Sequence, residues 1–252
     1  MEDKNPIQVA DRLFAALELL AEKGPLSLTD ISTALSLNKS TAHRIVSSLA
    51  YMGYVKQDQE TGKYELTFKI IGIANHVMNK IDIVKIVHPY LEKLMEVSGE
   101  TVHFVERDKT EAVYIDKVEA FQNSIQMVSR IGNRVPLYCS GVGKAIAAYM
   151  SRQDIEEMWK SSEIKRLTPY TVTDYGDFLR GLEEIRQRGY ALDNEENESG
   201  VRCIAAAILG SGGDVQYAFS ISAPVTRMDN DRIRELSAYV LRTRDEIQRE
   251  LP

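Results

Sequence analysis

Apolar residues recur at intervals of three and four positions through roughly the first fifty residues, a period that predicts amphipathic helices. The first predicted helix covers residues 6–21 and stops before Gly24 and Pro25. Its buried side is formed by Val9, Leu13, Leu17 and Leu20. Such a helix is stable only when other elements cover this apolar side.

Two further helices are predicted from their capping residues. Ser27 is followed three positions later by Asp30, a pairing that satisfies free amides at a helix start, and Asn38 is a second N-cap candidate. Residues 35–37 separate the two helices, which is enough to turn one across the other. Their apolar faces are formed by Ile31, Ala34 and Leu35 and by Ile45, Val46 and Leu49. This outline is typical of a helix-turn-helix, whose second helix enters the major groove of DNA.

A β-hairpin is predicted directly after these helices. Gly53 ends the third helix, and two short strand-like runs, 54–56 and 63–66, flank a turn over residues 58–62 that contains Gly62. Three helices followed by a hairpin form a winged helix-turn-helix. This order is more specific than the two-helix motif alone.

The candidate DNA contacts lie in the first turns of the third helix and at the hairpin tip: Lys39, Ser40, Thr41, His43, Arg44 and Lys63. Arg44 has the donors for a bidentate contact with guanine or for a clamp on phosphate. Ser40 and Thr41 can donate to phosphate or accept from a base edge, and Lys63 can reach phosphate or the minor groove. The alternative is an ordinary solvated surface, but the element order favours DNA binding.

The distribution of charge supports this interpretation better than the net charge of −6 does. Residues 36–57 contain Lys39, Arg44 and Lys56 and no acidic residue. Phosphate contacts need positive charge at the docking face rather than over the whole protein. So few contacts in one subunit bind weakly, and we therefore expect a dimer that doubles them.

The composition, 44% hydrophobic and 27% charged residues, is that of a globular protein. No apolar run is long enough to span a bilayer, and the first residues lack a signal peptide, so a cytoplasmic protein without membrane contacts is expected. Cys139 and Cys203 form no CxxC pair, which argues against a disulfide framework or a zinc site. We expect no metal and no cofactor.

The rest of the chain predicts a linker helix and an α+β domain. Residues 66–80 form an apolar helix that covers either a partner subunit or the second domain. Beyond residue 82, strand-like runs alternate with helices and predict an antiparallel sheet with helices on one side and a ligand cleft on the other. The predicted strands are 101–105, 112–115, 124–128, 190–192, 203–208 and 217–222. The predicted division is 6–67 for the DNA-binding domain, 68–81 for the linker helix and 82–252 for the effector-binding domain.

Two segments of the second domain have the character of a binding site. Residues 138–145 are mostly small and lead into a helix, whose free amides favour an anion such as a carboxylate. The spacing is not that of a phosphate loop. Residues 193–203 form an acidic turn that delivers Arg202 and Cys203 into a strand, or simply a solvated loop beside a buried cysteine.

Three motifs together resemble the IclR family of bacterial transcriptional regulators. They are residues 38–44 (NKSTAHR), 140–145 (SGVGKA) and 193–205 (DNEENESGVRCIA). The resemblance covers about residues 6 to 250. It implies a winged helix-turn-helix, a linker helix used in dimerisation, a GAF-like effector domain, and homodimers or homotetramers on palindromic operator DNA.

The resemblance also implies an effector site for a small carboxylate metabolite. Carried over by motif, the amides of Gly141 and Val142 hold the carboxylate, Asp193 bonds a hydroxyl or keto oxygen, and Ser220 and Ser222 donate hydroxyls. Cys203 lines the floor and Met127 supplies an apolar wall. The chain departs from the pattern at Val142, where relatives commonly have smaller residues.

Residues 127–138 resemble the subgroup that represses pectin and hexuronate catabolism and responds to keto-deoxygluconate. In that setting Arg130 pairs with the carboxylate of a sugar acid; a surface salt bridge is the alternative role.

We therefore expect a repressor that a small keto acid releases from its operator, rather than an enzyme. An activator of the same class is the first alternative. A second is an enzyme with Cys203 as nucleophile and His103 as base, but no nucleophile signature surrounds Cys203. A third is a DNA-binding module that takes no ligand.

Overall fold

The computed structural model describes residues 7–78, 82–120, 129–210 and 212–251. The chain divides into two compact units, Met1–Ile81 and Asp82–Pro252. Within the described residues, no helix has both the length and the apolar character needed to cross a bilayer.

The first unit is a winged helix-turn-helix, as the sequence predicted. Its elements are α1 (Gln8–Lys23), α2 (Leu28–Ala34), α3 (Lys39–Tyr51), β1 (Val55–Gln57), β2 (Tyr64–Leu66) and α4 (Lys69–Met78). Both expected caps are present. Ser27 Oγ accepts the amide of Asp30 and Asp30 Oδ2 accepts the amide of Ser27, both at 3.2 Å. Asn38 Oδ1 accepts the amide of Thr41 at 2.8 Å.

The hairpin is attached to the turn between α1 and α2. Leu26 and Tyr64 exchange two backbone hydrogen bonds, of 3.0 and 2.8 Å, which adds a third short extended segment beside β2. Tyr64 and Val55 are buried in the same small core as Ile31 and Leu49. The wing is therefore packed against the helices rather than projecting alone.

The second unit is built on one antiparallel sheet of six strands, in the order β5-β4-β3-β8-β7-β6. Its elements are α5 (Asp82–Ser98), β3 (Thr101–Asp108), β4 (Glu111–Val118), β5 (Arg134–Pro136), α6 (Gly141–Ala147), α7 (Arg152–Ser161), α8 (Tyr175–Arg188), β6 (Ala191–Asn194), β7 (Val201–Leu209), β8 (Val215–Pro224) and α9 (Asn230–Glu250). The fold class is α+β with a GAF-like antiparallel sheet, as predicted.

Helices cover both faces of this sheet, so the expectation of one-sided cover was wrong. Along β7, Ile204, Ala206 and Ile208 pack in the cluster that contains α5 and α9, while Ala205 and Ala207 pack in the cluster that contains α6, α7 and α8. Successive side chains of a strand point to opposite faces. Because both faces of β7 are apolar, each face needs its own layer of helices.

Two differences from the predicted strands concern the edge of the sheet. The predicted strand at 124–128 lies outside the described residues. Strand β5 was not predicted, because it has only three residues and ends in Pro136, whose missing amide restricts it to an edge position.

Candidate DNA-binding face and ligand cavity

Helix α3 separates an apolar face from a polar one along its whole length. Its buried residues are Ala42, Ile45, Val46 and Leu49. Of the five predicted DNA contacts on this helix, Lys39, Ser40, His43 and Arg44 are exposed, and Thr41 is half-buried. Because side chains three and four positions apart share a face, Ser40, His43 and Arg44 form one polar surface near the helix start.

The N-cap of α3 determines which hydrogen bonds the Ser40 hydroxyl can still make. Ser40 Oγ donates to Asn38 Oδ1 at 2.9 Å, on the same oxygen that accepts the amide of Thr41. The hydroxyl proton of Ser40 is therefore used inside the helix. Its lone pairs remain available to accept from a base edge, whereas donation to phosphate, one of its two predicted roles, competes with the cap.

The wing places its basic residue at an ordered tip. Asp58 Oδ1 accepts the amides of Glu60 and Thr61 at 3.0 and 2.7 Å, and Gly62 adopts a φ of 67° that a turn of this kind requires. Lys63 follows, with an exposed side chain. Both basic ends of the predicted contact surface, α3 and the wing tip, thus have defined backbone geometry.

The second unit contains a cavity of about 430 Å³ between the sheet and α6. Six of the eight predicted effector contacts line it: Gly141, Val142, Asp193, Cys203, Ser220 and Ser222. Met127 lies outside the described residues. Arg130 is exposed and is not among the lining residues, so the structure does not bring it to the cavity.

Strand register explains why residues distant in sequence meet here. Asp193 on β6 lies opposite Cys203 on β7, which lies opposite Ser222 on β8. Ser220, two residues earlier on β8, lies opposite His103 on β3. Side chains at alternate positions share a face, so these five groups form one polar floor.

The wall opposite this floor is the start of α6. Ser140 Oγ accepts the amide of Gly143 at 3.1 Å and donates to the carbonyl of Pro136 at 2.6 Å. Within the described residues, no hydrogen bond occupies the amides of Gly141 or Val142. The first amides of a helix have no acceptor within it, so these two can serve an acceptor in the cavity.

Two glycines lie in the first turn of α6, and they differ in how closely neighbouring residues approach them. A Cβ at Gly143 would stand 2.4 Å from Leu137 Cα and 2.6 Å from both Leu137 O and Ser140 Oγ. A Cβ at Gly141 would stand 3.4 Å from Cys203 Cβ, an ordinary contact. Of these two glycines, Gly143 is therefore the one that close packing requires.

Asp193 is the ionisable group most affected by this environment. Burial raises its pKa to about 6, an effect that the nearby Lys144 ammonium and the amide of Glu196 oppose. Asp193 Oδ1 accepts that amide at 2.8 Å. Lys144 itself is buried in an ion pair with Glu196. Asp193 can thus change protonation state close to neutral pH.

Neither cysteine has the character of a nucleophile. Burial raises the pKa of Cys139 to about 12 and also raises the pKa of Cys203. Both side chains are therefore thiols rather than thiolates at neutral pH, and the thiolate is the reactive form. This opposes the alternative in which Cys203 performs covalent catalysis. The described residues also contain no group of three or more His, Cys, Asp or Glu side chains able to hold a metal ion.

His103 and Tyr114 line the cavity but were not among the predicted effector contacts. Ser129 and Asn197 were missed as well. His103 entered the sequence analysis only as a base in the enzyme alternative. Its alternation with Val102 and Phe104 along β3 placed it on one face, but only the pairing of β3 with β8 shows that this face is the cavity floor.

Comparison with known proteins agrees with both halves of this structure. The profile of the IclR helix-turn-helix domain matches residues 9–59, and that of the bacterial transcriptional regulator IclR C-terminal domain matches residues 75–249. The HTH-type transcriptional regulator KdgR of Escherichia coli is 33% identical over 240 residues, 94% of this chain and 91% of that protein. The HTH-type transcriptional repressor AllR of Salmonella typhimurium is 33% identical over 226 residues, 89% of this chain and 83% of that protein.

Among solved structures, the crystal structure of the Thermotoga maritima IclR superimposes with a TM-score of 0.83 and 34% identity, covering 96% of this chain and 98% of that one. The matched C-terminal domain alone spans more than half of the 252 residues. Since the relatives also exceed 30% identity over most of the chain, the protein belongs to the IclR family and is a DNA-binding transcriptional regulator.

Proposed function

We propose that this regulator is a repressor of sugar-acid catabolism genes, which a small keto acid releases from its operator. The observation that carries the proposal is the cavity of the second unit, where two helix amides face a floor of hydroxyl groups. The helix amides can donate to a carboxylate, and the hydroxyl groups can bond the oxygen substituents of the ligand. Similarity to a protein named as a repressor, AllR, supports the direction of regulation.

The DNA-binding part of the proposal uses the exposed face of α3. Lys39, Arg44 and Lys63 supply positive charge, and Ser40, Thr41 and His43 supply groups that can reach base edges or phosphates. One subunit offers few such contacts, so operator binding requires at least a homodimer; a homotetramer satisfies the same requirement. Helix α4 and its approach expose Phe68, Ile71 and Ile73, apolar side chains suited to a partner subunit.

In the effector-binding part of the proposal, the carboxylate of the keto acid lies at α6 and its oxygen substituents lie against the sheet. Gly141 and Val142 donate their amides to the carboxylate, while Asp193, Ser220 and Ser222 bond the keto and hydroxyl oxygens. Cys203 packs beside them as a small, weakly polar side chain. The buried Val142 narrows the cavity at the carboxylate end.

Release from DNA follows if the keto acid binds one conformation of the regulator better than the other. A ligand shifts such an equilibrium only by its difference in affinity for the two states. The test is an operator titration at fixed salt with increasing concentrations of small keto acids, including keto-deoxygluconate. We expect weaker operator binding as the keto acid saturates the protein. Unchanged affinity in the presence of a keto acid that demonstrably binds would overturn the proposal.

Effector binding should strengthen as the pH falls from 7.5 to 6. Asp193, with a pKa of about 6, is mostly ionised at pH 7.5, and a bound carboxylate beside it raises that pKa further. Binding then takes up a proton, so affinity rises with acidity, by no more than about tenfold per pH unit. His103 has a pKa of about 3, so its protonation does not change between pH 7.5 and 6.

Calorimetric titration of keto-deoxygluconate at several pH values measures this effect. The matched variant Asp193→Asn removes the titrating group and should give a nearly flat profile. A flat profile in the unmodified protein, or affinity that falls in acid, contradicts the role given to Asp193.

A further inference from the structure

His103, on the cavity floor, forms a hydrogen-bonded cluster with two serines that line the cavity. Its Nδ1 lies 3.2 Å from Ser222 Oγ, and its Nε2 lies 2.5 Å from Ser129 Oγ. The imidazole is only 1% exposed and lies against Tyr114, with ring centroids 4.8 Å apart. Both serines line the cavity, so the histidine connects two hydroxyl groups from different parts of the chain.

The imidazole of this cluster is neutral at any physiological pH. Burial, with a smaller contribution from the Lys117 ammonium, lowers its pKa to about 3. A neutral imidazole carries one proton, so one ring nitrogen donates and the other accepts. With both nitrogens occupied by serines, one serine must accept from the ring and the other must donate to it.

Each tautomer leaves one serine hydroxyl proton that the ring does not use. If Nδ1 carries the proton, Ser129 donates to Nε2 and the ring does not use the hydroxyl proton of Ser222. If Nε2 carries it, Ser222 donates to Nδ1 and the ring does not use the hydroxyl proton of Ser129. In both cases the pair keeps one O–H that the imidazole does not use, together with unused oxygen lone pairs, and Ser220 Oγ, 3.4 Å from Ser222 Oγ, extends this hydroxyl network by donating to Ser222 or accepting from it.

An alcohol satisfies this arrangement better than other groups do, because a hydroxyl both donates and accepts. A keto oxygen can use only the free O–H. An alkyl chain uses neither and leaves polar groups buried without partners, which is the strongest source of discrimination that a binding site has.

We propose that His103 is a positioning residue that makes Ser129 and Ser222 a hydroxyl-recognition subsite, so that the cavity selects polyhydroxylated carboxylates over alkyl carboxylates of the same length. This rests on the proposed function, which places the carboxylate at α6. The hydroxyl groups recognised by the subsite are those carried on carbons away from the carboxylate.

The test compares two keto acids of six carbons, 2-keto-3-deoxygluconate and 2-ketohexanoate. They share the carboxylate and keto groups and differ in the hydroxyls on carbons 4, 5 and 6. Calorimetric titration of each with the full-length protein gives a selectivity ratio. We expect the hydroxylated acid to bind the unmodified protein at least tenfold more tightly, the value of one or two hydrogen bonds.

Two variants remove the subsite in different ways. His103→Phe keeps a ring against Tyr114 but removes both nitrogens, and Ser129→Ala removes one hydroxyl. Each should reduce the ratio about five- to tenfold while the affinity for 2-ketohexanoate changes little. Ser237→Ala, on α9 and outside the cavity lining, is the matched serine control and should keep the original ratio.

The outcomes separate the inference from the proposed function. If neither keto acid binds the unmodified protein, the proposed function fails and the subsite with it. If both bind but the variants keep the original ratio, or lose affinity equally for both acids, the subsite alone is wrong. Ser129→Ala keeps the test decisive if His103→Phe does not fold.

Discussion

Replacing Arg44 with alanine should lower operator affinity by about two orders of magnitude. Arg44 is exposed on the polar face of α3, beside Ser40 and His43 and near the N-terminal end of the helix that we propose enters the major groove. A bidentate arginine contact contributes about 1–3 kcal/mol, and a dimer loses two of them. Few other cations are available on this surface to compensate, since residues 36–57 add only Lys39 and Lys56.

A second substitution distinguishes a base contact from a phosphate contact. Arg44→Lys keeps the charge but loses the forked geometry of the guanidinium. If Arg44 contacts guanine, lysine should be nearly as damaging as alanine and should relax specificity at one base pair. If it contacts phosphate, lysine should restore most of the affinity, and alanine should reduce the salt dependence of binding by about one counterion per subunit.

The measurement is a fluorescence anisotropy titration, at several salt concentrations, of an operator fragment obtained by binding-site selection. Lys160→Ala is a matched control, because it removes one exposed positive charge from α7 in the other unit. Its expected effect on operator affinity is less than twofold. Equal effects of Arg44→Ala and Lys160→Ala would mean that the exposed face of α3 is an ordinary solvated surface.

Replacing Gly143 with alanine should destabilise the second unit by about 2–4 kcal/mol. The added Cβ would lie 2.4 Å from Leu137 Cα, a backbone atom that cannot rotate away. It would also displace Ser140 Oγ, which caps α6 by accepting the amide of Gly143. Overpacking typically costs about 1–3 kcal/mol, and here the loss of a cap adds about 1 kcal/mol.

The control for this substitution is Gly181→Ala in α8. A Cβ there has nothing within 4 Å, so the better helix propensity of alanine should stabilise the protein by about 0.5–1 kcal/mol. Thermal unfolding followed by circular dichroism measures both variants. We expect Gly143→Ala to lower the midpoint by about 10 °C and Gly181→Ala to leave it equal or raise it. A Gly143→Ala protein with an unchanged midpoint would show that the start of α6 moves away from Leu137 without penalty.

The parts of the fold set by local interactions were predicted accurately from sequence. The caps at Ser27 and Asn38 bond neighbours three residues away, so their chemistry is visible in the sequence itself. Helix α8 is delimited in the same way, because Asp174 caps it and Gly189 ends it in a left-handed conformation. Short-range interactions of this kind need no knowledge of the rest of the chain.

The residues that line the cavity could be predicted only in part from the sequence. Six of its lining residues were named through the family motifs, but His103 contacts Ser222 only because β3 pairs with β8, and its second partner, Ser129, lies outside both strands. Residues 103 and 222 are too far apart in sequence for spacing to reveal that contact. Arg130 was predicted from the local resemblance of its segment, but its side chain is exposed to solvent.

Helix α6 has no solvent-exposed side, since every residue from Gly141 to Ala147 is buried between the sheet and its neighbours, α8 among them. A surface helix can tilt into solvent when it is displaced, but apart from the cavity at its first turn this helix is surrounded by close-packed neighbours. A molecule in the cavity that pushes this first turn away from the sheet would therefore have to move α8 as well. If the proposed effector binds there, we expect its signal to start as a rigid displacement of packed layers rather than as a local loosening of one segment.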